Sequence, residues 1–203
     1  LDIKIGKSTL ETAPAVLNAS GTGSASYTSI CIYPTTTGLS IANSGNINEL
    51  IDLNGADNVT IDGRVNATGS TKDLIITNTY TSATSTIRFI NDASNNIVKY
   101  CNIKGSPNYN GILFFSTTNE SAGNDGNLID NNNITCSTNA NRPNNAIFSN
   151  GSSGKENSGN TISNNNIYDF LKDNYHTYGI YLSANTTTWT ISGNSFYETT
   201  TLA

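Results

Sequence analysis

The segment Asn160-Thr161-Ile162-Ser163-Asn164-Asn165-Asn166-Ile167 decides the fold, because the chain repeats it. It occurs earlier as Asn127-Leu128-Ile129-Asp130-Asn131-Asn132-Asn133-Ile134 and as Asn96-Ile97-Val98-Lys99-Tyr100-Cys101-Asn102-Ile103. A later copy reads Trp189-Thr190-Ile191-Ser192-Gly193-Asn194-Ser195-Phe196. Val98, Ile129, Ile162 and Ile191 form one column, at spacings of 31, 33 and 29 residues. Five residues on lies a second column of Ile103, Ile134, Ile167 and Phe196. A third precedes each unit: Ile87, Ile112, Ile147 and Ile180, followed two residues later by Phe89, Phe114, Ser149 and Leu182. The i, i+2 spacing puts both members of each pair on one face of a strand. Ile51 and Leu53 extend the third column backwards, and Ile61 extends the first. Residues 62–72 read as a bulged loop, after which Leu74-Ile75-Ile76 resumes the coil.

Three short strands in every 30 or so residues predict an all-β parallel solenoid, a single-stranded β-helix of about six coils. One coil cannot bury its own apolar face, so stacking on its neighbours supplies the core. Residues 1–203 read as one domain, with irregular N-terminal coils over 1–45 and clear repeats over 46–200. No amphipathic helix caps either end, so the chain is expected to be an excerpt of a longer polypeptide with further coils or domains. Asn132, Asn165 and Asn194 fall on one corner, with Cys101 in the coil before. Asn tolerates the left-handed backbone a sharp corner needs, and stacked amides can bond from coil to coil.

Composition narrows the function. Charged residues are 12% of the chain and the net charge is −5, which works against nucleic-acid binding. No apolar run reaches the length of a membrane span. The three cysteines lack metal-ligand spacing, there is one His, and no cofactor motif is present. A polar, uncharged, loop-rich chain suits an extracellular or cell-surface setting.

The phrase Val59-Thr60-Ile61-Asp62-Gly63 and the N-x-I-x-N-N-x-I units resemble the parallel β-helix repeats of the pectin-lyase-like superfamily, over about residues 45–200. The texture is similar to modules of large secreted or surface bacterial proteins. The resemblance implies a right-handed coil, as does the general preference for right-handed crossovers. It implies a structural or adhesive role, presenting loops to polysaccharide or to a surface protein. The alternative it carries is a polysaccharide lyase or glycoside hydrolase. Fold alone does not choose between them.

An enzyme on this scaffold needs ionisable groups converging on one face. The N-T-D, D-D, G-H-G and R-I-K motifs of polygalacturonase-like enzymes are absent in that form. The weak catalytic candidates are Asp62, which is more at home shaping the turn of its I-D-G phrase, and the cluster Asp169, Asp173 and His176 with Lys172. Arg64, Arg88 and Arg142 do not share a column. Aromatic residues crowd the last part of the chain, and sugars stack on exposed aromatic faces. Tyr175, Tyr178 and Trp189 fall near loop segments and are the binding candidates; the competing role is packing over loops.

Overall fold

A computed structural model describes residues 1–200. The chain winds into three parallel sheets, one strand from each per coil. The first sheet stacks Asp2–Ile5, Ile30–Pro34, Val59–Asp62, Ile97–Lys99, Leu128–Asp130, Thr161–Ser163 and Thr190–Ser192. The second stacks Thr9–Glu11, Ser40–Asn43, Ile75–Asn78, Asn102–Gly105, Asn133–Cys136, Asn166–Tyr168 and Ser195–Tyr197. The third stacks Ala15–Asn18, Glu49–Asn54, Ser85–Ile90, Gly111–Phe115, Asn145–Ser149 and Tyr178–Leu182. Six complete coils result, with two strands of a seventh. A short pair, Asn157–Ser158 with Thr186–Thr187, forms beside the third sheet. The loop after Asp62 contains one 3-10 turn, Val65–Ala67.

The first two columns stack in the expected register. Val98 pairs with Ile61 and Ile129, and Ile162 with Ile129 and Ile191. Ile103 pairs with Ile76 and Ile134, and Ile167 with Ile134 and Phe196. Ile61, Val98, Ile129, Ile162, Ile76, Ile103, Ile134 and Ile167 are fully buried. Each such side chain contributes about 1.5–3 kcal/mol of apolar burial, so the axial stacks dominate the stability of the coil.

The third column needs one correction. Leu113, not Ile112, aligns with Ile87 and Ile147, and Phe115, not Phe114, aligns with Phe89 and Ser149. All five residues of Gly111–Phe115 are buried, so this stretch carries no alternation to set the register. Inside, Phe115 stacks on Phe89 with ring centroids 4.4 Å apart. Outside, Phe114 joins a column with Arg88, Phe148 and Tyr181.

The corner between the first and second sheets is closed by side-chain amides. The Asn132 Oδ1 accepts the Cys101 N–H at 2.9 Å, and the Asn132 Nδ2 donates to the Val98 carbonyl. Asn165 repeats this on Asn132, and Asn194 repeats it on Asn165. The residue before each of these positions is left-handed: Tyr100, Asn131, Asn164 and Gly193 have φ between 54° and 65°. Two further ladders lie on the turns that lead back into the first sheet. Asn96, Asn127 and Asn160 form one, and Asn124 and Asn157 the other. All five are fully buried or nearly so. They turn otherwise orphaned backbone groups into coil-to-coil bonds.

Candidate binding groove

Loops that join second-sheet strands to third-sheet strands vary in length, and those of consecutive coils wall a groove. Its volume is about 520 Å³. Asn108 and Tyr109 come from one loop, Asn139, Asn141, Arg142 and Asn144 from the next, and Lys172, Asp173 and Tyr175 from the one after. Tyr109 is 72% exposed and Tyr175 69% exposed, both on this rim. Between them lies a polar floor. The Lys172 ammonium donates to Asn144 Oδ1 at 2.7 Å and to Asn108 Oδ1 at 3.1 Å, tying three coils together. It also lies 5.7 Å from the centre of the Tyr175 ring. Burial pushes the Lys172 ammonium below the ordinary lysine value. An ammonium has three protons to donate, so one donor remains beyond the two amides.

The sequence candidates disperse. Asp173 and Tyr175 line the groove, whereas Asp169, His176, Tyr178 and Trp189 are not part of its lining. His176 is exposed on the same loop. Tyr178 lies at the start of its third-sheet strand and stacks on Tyr181, with centroids 4.6 Å apart. Trp189 is committed to packing. Its indole N–H donates to the Asn157 carbonyl at 2.9 Å, and its ring meets Phe115 edge-on at 4.8 Å. Its ring is partly buried against the hydrophobic core.

Asp62 and Asp169 are both saturated by partners. Asp62 is buried, takes two side-chain bonds from Arg64 at 2.8 and 2.6 Å, and lies 3.5 Å from Lys99. Burial opposes its charge, but the Arg64 hydrogen bonds outweigh that and hold the carboxyl below the ordinary value. The Arg64 guanidinium in turn covers the Tyr100 ring at 4.4 Å. Asp169 has φ +53° and accepts the Thr199 N–H at 2.7 Å and hydroxyl at 2.6 Å. Burial again opposes its charge, yet the Thr199 bonds prevail and its carboxyl also lies below the ordinary value.

Sequence reasoning missed a charged cluster on the outer face of the third sheet. Arg88 grips Asp52 with two bonds of 2.9 and 2.8 Å and Glu49 with one of 2.9 Å. Burial pushes the Glu49 carboxyl above its ordinary value despite Arg88, whereas Arg88 itself is held charged. The two directions agree once Asp52 is recognised as the partner that takes the guanidinium's fork. Column alignment was the available signal: Asp52 and Arg88 flank the inward Ile51/Leu53 and Ile87/Phe89 pairs on adjacent coils.

Among the described residues, no group of three or more His, Cys, Asp or Glu side chains is placed to hold a metal. No helix among the described residues is long and apolar enough to cross a membrane, which says nothing of β-barrels. Comparison with protein-family models, with curated proteins and with solved structures gives no match.

Proposed function

We propose that the chain is a structural and adhesive β-helix module of an extracellular or cell-surface bacterial protein, and that its groove presents a glycan-binding surface. The observation that carries this reading is the pairing of two exposed tyrosines, Tyr109 and Tyr175, around a floor of amides and one lysine. Tyrosine faces stack on sugar rings while amide and ammonium groups bond to hydroxyls. The rigid sheets below hold the loops at fixed heights. The resemblance to pectin-lyase-like repeats supports the same setting.

A lyase or glycoside hydrolase on this scaffold is less well supported. Glycoside hydrolysis needs two carboxyl groups across the bound sugar. Among the described residues lining the groove, Asp173 is the one carboxylate. Asp62 and Asp169 already spend their oxygens on Arg64 and Thr199.

Affinity electrophoresis in gels containing xylan, β-glucan, alginate, polygalacturonate or mannan tests the reading. Retardation by at least one polymer, without new reducing ends or unsaturated products, is expected. Turnover would replace adhesion with catalysis, and free migration in every gel would remove the glycan.

A further inference from the structure

The groove wall that carries Lys172, Asp173 and Tyr175 is fastened from outside the groove. Glu198, two residues past Phe196 of the second column, is absent from the groove lining yet reaches the root of this wall. Its Oε1 accepts the N–H groups of Phe170 and Leu171, both at 3.1 Å. Its Oε2 pairs with the Arg142 guanidinium. Arg142 is 3% exposed and also donates to the Leu171 carbonyl at 3.1 Å and to Thr200. Arg142 comes from the loop of one coil, Phe170 and Leu171 from the next, and Glu198 and Thr200 from the one above. Asp169, 3.6 Å from Arg142, completes the knot through Thr199.

We propose that Glu198 and Arg142 form a latch across three coils that fixes the Leu171–Tyr175 wall, making Glu198 a positioning residue for the groove. Three features support it. The charged groups are largely shielded from water, so their hydrogen bonds are among the stronger ones. Both backbone donors at the entrance to the wall go to a single carboxylate oxygen. The far end of the loop is held separately, where the Tyr178 N–H donates to the Asn144 carbonyl at 2.8 Å. With one end pinned by the third sheet and the other by Glu198, the intervening tyrosine and lysine have a defined height above the floor.

The binding consequence rests on the glycan reading; the latch itself does not. The test is amide hydrogen exchange with Glu198→Ala and Glu198→Gln, read alongside gel retardation in the polymer that retards the wild type most. Glu198→Ala is expected to speed exchange at Phe170 and Leu171 by about tenfold or more, since charged hydrogen bonds are lost. Exchange over 128–136 stays at the wild-type rate, which shows that the coil is intact, and retardation falls. Glu198→Gln recovers part of the protection, because its carboxamide oxygen still accepts the two N–H groups. Arg142→Lys, which keeps a buried cation without the fork, shifts exchange in the same direction as Ala. Unchanged exchange at Phe170 and Leu171 in Glu198→Ala overturns the latch. A loosened loop with undiminished retardation overturns its positioning role. If no polymer retards the wild type, the glycan reading falls and the exchange comparison alone decides the latch.

Discussion

The Asn165 side-chain oxygen accepts two hydrogen bonds from Asn132 one coil away, from its backbone N–H at 2.9 Å and from its amide at 3.1 Å. Asn132 passes the pattern on, because its own oxygen takes the Cys101 N–H while its amide also donates to Val98. Replacing Asn132 by Ala leaves the Cys101 N–H and the Val98 carbonyl without these partners in a buried corner. The expected loss is about 2–4 kcal/mol, from two stranded backbone groups. Urea unfolding of Asn132→Ala beside the wild type measures it; a loss within error would mean that water replaces the ladder.

Position along the axis, more than side-chain type, sets the cost of cutting the aliphatic stacks. Ile129 is fully buried between Val98 and Ile162, whereas Ile191 at the last turn is 46% exposed. Ile129→Ala is expected to lose about 3–4 kcal/mol through lost burial and a cavity. Ile191→Ala loses about 1 kcal/mol or less, because much of its surface is already wet. Equal shifts in the two melting curves would contradict a core built by axial stacking.

Asp62 gives a pH prediction whose sign is fixed. Its folded-state carboxyl lies below the ordinary value of 3.8, held there by Arg64 against the cost of burial. The carboxylate therefore favours the folded state above pH 3.8, and the contribution fades as pH falls through the lowered folded value. Asp62→Asn lowers the melting temperature at neutral pH and flattens its decline on the acid side. Parallel acid limbs in variant and wild type would show that other carboxylates carry the effect.

Gly63 is required by proximity. A Cβ there would lie 2.0 Å from the Tyr100 carbonyl oxygen and 2.6 Å from its carbon, both backbone atoms of the next coil. Gly63→Ala thus forces two coils apart and is expected to cost more than about 3 kcal/mol. Gly69, with φ +78° and open space around it, serves as the control. Its Ala variant pays backbone strain alone, about 1–2 kcal/mol. Chemical denaturation of both variants separates crowding from strain.

For the groove, Tyr109→Ala and Tyr175→Ala are expected to abolish gel retardation singly while leaving the melting temperature within a degree or two of the wild type, as exposed substitutions usually do. Retained retardation in both variants would move the contact surface elsewhere, the stacked Tyr178 and Tyr181 pair being the next place to look.

The sequence was most informative where packing and period coincide. Val98, Ile129 and Ile162 share a register because each stands two residues after an Asn and five before an Ile, and Ile162 and Ile191 are also isolated aliphatics between polar neighbours, which only one face of the strand suits. Ile112-Leu113-Phe114-Phe115 offers no such contrast, so its alignment is settled by neighbouring coils instead of by its own pattern. One Asn ladder was legible at Asn132, Asn165 and Asn194. The ladder of Asn96, Asn127 and Asn160 stood at the head of three of the four quoted units, with Trp189 heading the fourth, and its recurrence there was the missed signal. The groove was legible only in its last loop, where Lys172, Asp173 and Tyr175 are among the sequence candidates. It is assembled from loops of unequal length, and no period in the chain says that Asn108, Asn144 and Lys172 meet. Glu198 and Arg142 are further apart still and have no recurring counterparts.

The buried amides have a consequence for how such a chain tolerates change. Each one reaches only the winding immediately before or after its own, so no bond in a ladder counts how many windings there are. Excising residues 96–126 would bring Asn95 directly to Asn127, the equivalent of the lost Asn96, and the shortened staircase would retain its other kinds of step, though the two-membered ladder would be reduced to Asn157. Length in this architecture is therefore free to drift by whole treads, while an edit of a few residues inside a tread strikes the amides and aliphatics that hold it level.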